Sequence, residues 1–150
     1  MGDSNETPVM PIDASANLDG VFSNDKFTVR YPTSLKQKDV LGSDLFFEDD
    51  SGLVTISGTY NTEGTTLEYF KDFAENMVCA IKGAGMNPEA PVVKGKRYVI
   101  KATDEDNIAY NYCVMKADQI GIMGEFRFPK DEASDYEKYV GAFINSIEFK

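Results

Sequence analysis

Residues 96–128 contain three runs in which apolar side chains recur at every second position. The runs are KRYVIKAT at 96–103, IAYNYCVM at 108–115 and QIGIMGEFRF at 119–128. A period of two is typical of strands with one buried face, and the linkers DEDN and KAD are as short as hairpin loops. Gly121 and Gly124 indicate a bulge in the last run or a close approach of another backbone. The chain is therefore expected to fold around an antiparallel meander.

The first half of the chain predicts three more strands. FTVRY at 27–31 alternates cleanly, and Pro32 ends it because proline lacks the amide hydrogen that a strand ladder needs. DLFFE at 44–48 and LVTISGTY at 53–60 flank DDSG, which is typical of a turn. These two strands are predicted to form a hairpin.

Two segments change to helical spacing, which predicts helices over 66–82 and 132–146. Thr65 and Glu68 match a capping box, in which each side chain accepts a hydrogen bond from the other residue's backbone amide. Gly83 marks the end of the first helix. The apolar stripes are Leu67, Phe70, Ala74, Met77, Val78 and Ile81 in the first helix, and Tyr136, Tyr139, Val140, Phe143 and Ile147 in the second.

The order of these elements predicts the fold class. Three strands and a helix are followed by three strands and a helix, so the order is βββα-βββα. Grouped strands with few crossovers favour an α+β fold, with an antiparallel sheet of about six strands and two main helices packed on it. At 150 residues the chain is long enough for one domain with its own core.

The first 20 residues differ in composition from the rest. They are rich in Asp, Asn, Ser, Pro and Gly, with only scattered apolar side chains. Such a segment buries too little apolar surface to offset the entropy lost on ordering. We therefore predict a flexible acidic tether at 1–20 and a single domain at 21–150.

Charge and histidine content restrict the function. The formal net charge is -10, so the field of the protein repels nucleic acids. The chain has no histidine, which removes the usual general base near neutral pH and the commonest zinc ligand. The sequence identifies no catalytic residue, no cofactor site and no metal site, and this pattern favours a binding protein over an enzyme.

The acidic turns are the nearest approach to a metal motif. Asp104, Glu105 and Asp106 carry the oxygen ligands that calcium takes, as do Glu48 and Asp49. Consecutive acids do not match the alternate-position spacing of an EF-hand loop. Solvated turns are the favoured interpretation.

Two sets of residues have alternative interpretations. Cys79 and Cys113 form a disulfide if the first helix lies over the strand, or remain two free thiols. Tyr98, Tyr110 and Tyr112 either line an aromatic surface for a partner or are half-buried strand residues.

The chain resembles the PsbP-like family, whose fold is also called Mog/PsbP. The resemblance is carried by Phe27 to Pro32, by TTLEYFKDF at the first helix, by the three-strand meander and by the terminal YVGAFINSIEF. It covers residues 21–150. The family often has a tryptophan shortly after the Tyr-Pro, and this chain has none.

The resemblance implies a docking module without a shared catalytic set. Some members bind a membrane complex, some bind a small GTPase, and many bacterial members are exported lipoproteins. The expectation is therefore an extracytoplasmic binding domain of the cell envelope, with a protein or envelope partner and a lipid anchor upstream of residue 1. The alternatives are a cytoplasmic location and a small-ligand carrier or carboxylate-based hydrolase with a sheet-helix cleft.

Overall fold

The computed structural model describes residues 15–150. Eleven strands and two α-helices follow one another in this part of the chain. They are β1 (Gly20–Ser23), β2 (Phe27–Tyr31), β3 (Lys36–Gln37), β4 (Leu45–Glu48), β5 (Thr55–Asn61), α1 (Phe70–Gly83), β6 (Asn87–Pro88), β7 (Val92–Lys94), β8 (Arg97–Thr103), β9 (Asn107–Ala117), β10 (Ile120–Pro129), α2 (Ala133–Ser146) and β11 (Glu148–Phe149).

The strands form two antiparallel sheets. The large sheet has eight strands in the order β3-β4-β5-β10-β9-β8-β6, with β7 also paired to β8. The small sheet has the order β1-β2-β11. The predicted meander is confirmed, because β8 pairs with β9 and β9 pairs with β10. The predicted hairpin of β4 and β5 is confirmed as well.

The α+β class and the antiparallel pairing are as predicted, but the sheet size and the element order are not. The predicted single sheet of about six strands is replaced by one of eight strands and one of three. The unpredicted strands β1, β3, β6, β7 and β11 have only two to four residues each. Segments this short hold too few alternations to show a period of two, so the order βββα-βββα was incomplete.

The large sheet separates two hydrophobic cores. On one face it packs against α2 and the small sheet, and this α2 core includes Phe27, Val29, Phe47, Ile56, Tyr112, Ile122, Phe126, Phe128, Val140 and Phe143. On the other face it packs against α1, and this α1 core is built on Phe70, Ala74, Ile81, Tyr98, Ile100, Ala102, Cys113 and Met115. Strand β9 contributes to both cores and is therefore buried on both faces.

Helix α1 begins four residues later than predicted, and the expected capping box does not form. No side chain caps the helix at Tyr69. The backbone amide of Leu67 instead donates to the carboxylate of Asp118 at 2.8 Å, and the carbonyl of Thr65 accepts from the amide of Gln119 at 2.9 Å. These bonds hold the segment before α1 against the β9–β10 turn, so tertiary hydrogen bonds replace the local cap.

The domain begins before the predicted boundary at residue 20. Leu18 is buried in the α2 core, and the carboxylate of Asp19 accepts hydrogen bonds from the hydroxyl and amide of Thr33. Residues 18–20 therefore pack on the domain, and residues 1–14 of the predicted tether at 1–20 lie outside the described residues. Within residues 15–150, neither helix has the length and apolar character required to cross a bilayer.

Gly124 occupies the point at which the two halves of the large sheet meet. A Cβ atom built there would lie 1.9 Å from the backbone oxygen of Ser57 on the neighbouring strand β5. A register irregularity also occurs in β10 between Ile120 and Gly121. Both features predicted for this strand are therefore present.

Replacing Gly124 by alanine is expected to lower the free energy of unfolding by about 3 kcal/mol or more, because the added methyl overlaps the backbone of β5. Gly83→Ala is the matched control. Nothing lies within 4 Å of the Cβ position there, and the change replaces glycine at the end of α1, so stability should rise by about 0.5 kcal/mol. Urea unfolding of both variants measures the difference. Equal stability of the two variants would contradict the close approach.

Candidate binding groove

Helix α1 covers only part of its face of the large sheet. It packs over β8 and β6, and the α1 core reaches β10 only at Met123. The next two residues of β10 on the same face, Glu125 and Arg127, are half-buried, and no residue of β4 or β5 belongs to the α1 core. A step therefore forms between the side of α1 and the uncovered half of the sheet.

This step contains a groove made of two adjoining depressions. Their volumes are about 310 Å³ and 210 Å³, and Asn111 and Glu125 line both. The two residues are direct cross-strand partners in β9 and β10, so they form the middle of the floor. The groove is lined by Ser57, Met77, Ile81, Ala84, Gly85, Met86, Tyr98, Asp104, Asn111, Tyr112, Met123, Gly124, Glu125 and Arg127.

The polar end of the groove carries two carboxylates and one guanidinium. Arg127 lies 3.8 Å from the carboxylate of Glu125 and 3.8 Å from that of Asp104. The three side chains are 33% (Glu125), 35% (Arg127) and 31% (Asp104) exposed, so solvent screens these pairs and each contributes little stability. The cluster keeps a net negative charge because one cation serves two anions.

Backbone amides of the hairpin turn hold the Asp104 carboxylate in position. The carboxylate accepts hydrogen bonds from the amides of Asn107 at 2.7 Å and Asp106 at 2.9 Å. These amides, together with Arg127, lower the pKa of Asp104 below its ordinary value. Asp104 is therefore held as an anion at the end of the groove at neutral pH.

The other wall of the groove is apolar. It is formed by Met77 and Ile81 of α1 and by Met86 just beyond the helix. Methionine side chains are flexible and polarisable, so such a wall can adapt to different apolar groups. At the base, the Tyr98 hydroxyl is buried and has no hydrogen-bond partner. Burial raises the pKa of this hydroxyl, which stays protonated.

The three tyrosines predicted as a partner surface do not form one. Tyr98, Tyr110 and Tyr112 are each at most 2% exposed, and they lie on opposite faces of the sheet. Tyr110 donates to the carboxylate of Glu137 at 2.5 Å, and Tyr112 donates to the carbonyl of Ser57 at 2.7 Å. They are core residues, which corrects the surface hypothesis in favour of strand packing.

The two cysteines are free thiols. Cys79 is exposed on α1, and Cys113 is buried in the α1 core. The possible disulfide between Cys79 and Cys113 is therefore not formed, because the first thiol faces solvent and the second faces the core. Burial raises the pKa of Cys113 to about 12, so this thiol stays protonated at neutral pH.

The acidic side chains of the turns accept hydrogen bonds from nearby residues of the same turn. Like Asp104, Asp49 uses its carboxylate locally, accepting from the Ser51 hydroxyl at 2.8 Å and the Val54 amide at 3.3 Å. Across residues 15–150 no three His, Cys, Asp or Glu side chains converge in a way that could hold a metal ion.

The groove residues Asn111, Glu125 and Arg127 were not identified from the sequence. One signal was present, since Asn111 is a polar residue inside the apolar run IAYNYCVM. A strand buried on both faces is expected to be apolar throughout, so an interior asparagine indicates a place where one face is open. Glu125 and Arg127 fit the alternation of an ordinary half-exposed strand and gave no separate signal.

Comparison with known proteins identifies no family for this chain. No family model matches the chain, and no curated protein matches it either. The resemblance to the PsbP-like family stays a prediction from sequence.

Tyr98→Phe is expected to raise the free energy of unfolding by up to about 1 kcal/mol, because it removes a buried hydroxyl that has no partner. Tyr112→Phe is the matched control on the neighbouring strand, and it should lower stability by about 1 kcal/mol because a 2.7 Å hydrogen bond is lost. Thermal unfolding of the two variants gives the sign of each change. Destabilisation by Tyr98→Phe equal to that by Tyr112→Phe would show that the Tyr98 hydroxyl is satisfied after all.

Proposed function

We propose that this chain is a non-enzymatic binding domain that receives a segment of a protein partner in the groove beside α1. The observation that carries the proposal is the uneven coverage of the sheet. An apolar wall of methionine and isoleucine faces a polar floor with half-buried carboxylates. Interfaces commonly combine such an apolar centre with a polar rim.

Charge supports a basic, partly apolar occupant. The groove carries Asp104 and Glu125 against a single Arg127, and the whole chain has a formal net charge of -10. Lys or Arg side chains of a partner would pair with the two carboxylates, and an apolar side chain would contact Met77 and Met86. Complementary charge increases the association rate and helps to fix orientation.

The same residues argue against hydrolysis. A general acid or base is commonly tuned by burial, yet no Asp, Glu, Lys or Arg side chain between residues 15 and 150 is buried. Asp104 and Glu125 are both exposed by about one third. The carboxylate hypothesis requires a deep pocket with a buried Asp or Glu, and neither carboxylate of the groove is buried.

We further propose that the domain has the PsbP-like fold and acts outside the cytoplasm as part of a lipoprotein. The support is the sequence resemblance over residues 21–150 and the polar composition of the residues before them. The intact mass of the protein from its native host tests the setting. A diacylglycerol-modified cysteine upstream of residue 1 is expected, and an unlipidated, unprocessed chain would contradict the lipoprotein assignment.

A peptide array of random short sequences tests the groove. The folded chain, labelled with a fluorophore, is expected to select peptides that combine Lys or Arg with Leu, Ile, Met or Phe. Glu125→Gln should weaken binding of the selected peptides by about three- to tenfold at low salt, because one carboxylate is lost. Added salt should weaken the wild-type interaction, since exposed charges are screened.

Glu75→Gln is the control for the loss of charge. Glu75 lies on the exposed side of α1 and does not line the groove, so the variant makes the same change in net charge elsewhere. Its peptide affinity should equal that of the wild type. Selection of acidic peptides, or equal losses in Glu75→Gln and Glu125→Gln, would overturn the groove as the binding site.

A further inference from the structure

A second, smaller cavity lies between the large sheet and the start of α1. Its volume is about 20 Å³, which exceeds the ~10–15 Å³ that one water-sized sphere needs. Three sulfur-bearing side chains line it, from Cys113, Met115 and Met123, and Phe73 of α1 lies on another side. The cavity therefore offers soft donor atoms in a largely apolar environment.

Strand pairing brings the three sulfur residues together. Cys113 and Met115 are two positions apart on β9 and share its α1 face, while Met123 on β10 is the direct cross-strand partner of Cys113. Directly opposed residues on one face have Cβ atoms about 4.5–5.5 Å apart. The Cys113 Sγ and Met115 Sδ atoms are 3.7 Å apart.

Gly121 leaves room for this arrangement. A Cβ atom at this position would lie 2.7 Å from the Met115 Sδ atom. The absence of a side chain on β10 therefore allows the thioether to occupy its place beside Cys113. The position of the sulfur depends on the sequence of two strands, rather than on the rotamer of one methionine alone.

We propose that Cys113, Met115 and Met123 form a binding site for the soft monovalent ion Cu(I). Thiolate and thioether ligands select Cu(I) over harder divalent ions. With metal–sulfur bonds of about 2.3 Å, three sulfur atoms around an ion in a plane would lie about 4 Å apart. The observed separation of 3.7 Å between two of the donors is close to this requirement.

Binding at this site is a ligand exchange with no change in oxidation state. A bond forms between Cu(I) and Cys113 Sγ, the S–H bond of the thiol breaks, and its proton goes to solvent. Met115 and Met123 each donate a sulfur lone pair and release no proton.

The test is an anaerobic titration with Cu(I) supplied as its acetonitrile complex, in competition with a coloured Cu(I) chelator. The wild-type chain should withdraw one Cu(I) per chain from the chelator. It should also develop an ultraviolet thiolate-to-metal band and unfold at a higher temperature once loaded. Zn²⁺ added to the same protein should produce neither effect, because thioethers are poor ligands for it.

Met115→Leu is the decisive variant, since leucine preserves the volume of the side chain and removes its sulfur. Its affinity for Cu(I) should fall by about tenfold or more, as expected when a ligand is lost. Met123→Leu should act similarly, although Met123 also lines the binding groove. Cys113→Ser should abolish the ultraviolet band.

Two controls separate the site from other sulfur atoms. Met86→Leu changes a methionine that packs against the α1 core but does not line the cavity, and Cys79→Ser removes the exposed thiol. Both variants should bind Cu(I) as the wild type does. The proposal is overturned if wild-type affinity equals that of Met115→Leu, or if Cys79→Ser alone removes binding.

Discussion

The pairing of β5 with β10 is the interaction on which the rest of the structure depends. It joins the strands before α1 to the meander after it, and so turns two separate groups of strands into one eight-stranded sheet. The two backbones approach so closely at Gly124 that no side chain fits between them. The same register places Ser57, Glu125 and Asn111 in one row across three strands, which is the floor of the groove.

A sheet of this width needs cover on both faces, and the two faces are covered unequally. Helix α2 and the small sheet together bury one face with a core rich in phenylalanine. Helix α1 alone covers part of the other, and the strands it leaves open carry Ser, Thr, Glu and Arg on that face. Polar residues at the uncovered positions allow this face to contact water. The methionines at the side of α1 can still contact apolar groups of a partner.

Much of the fold could be predicted from period and turn chemistry, because these are local properties. The meander and the β4–β5 hairpin follow from alternation with short linkers, and α2 follows from its apolar stripe. The pairing of β5 with β10 could not be predicted, since the sequence separation is long and the partner is chosen by packing. The predicted start of α1 was wrong because Asp118 and Gln119 bind the backbone of Leu67 and Thr65 and hold this segment against the β9–β10 turn.

The candidate site was harder to predict than the fold. Asn111 interrupts an apolar strand and was a usable signal, whereas Glu125 and Arg127 look like ordinary exposed strand residues. The predicted tyrosines are buried because the strand that carries two of them is covered on both faces. The groove lies at the edge of the area that α1 covers on the large sheet. The position of this edge depends on the angle at which α1 crosses the strands, and no local sequence pattern encodes that angle.

The most direct test of the central claim is a map of where a bound segment lies. An isotope-labelled chain titrated with a basic, partly apolar peptide selected on the array gives a chemical-shift change for each backbone amide. The account predicts the largest changes at Ser57, Asn111 and Glu125 and along the adjoining side of α1, with α2 and the small sheet unchanged. Changes concentrated on α2 or on β1-β2-β11 would contradict the account and would place the binding surface on the opposite face of the protein.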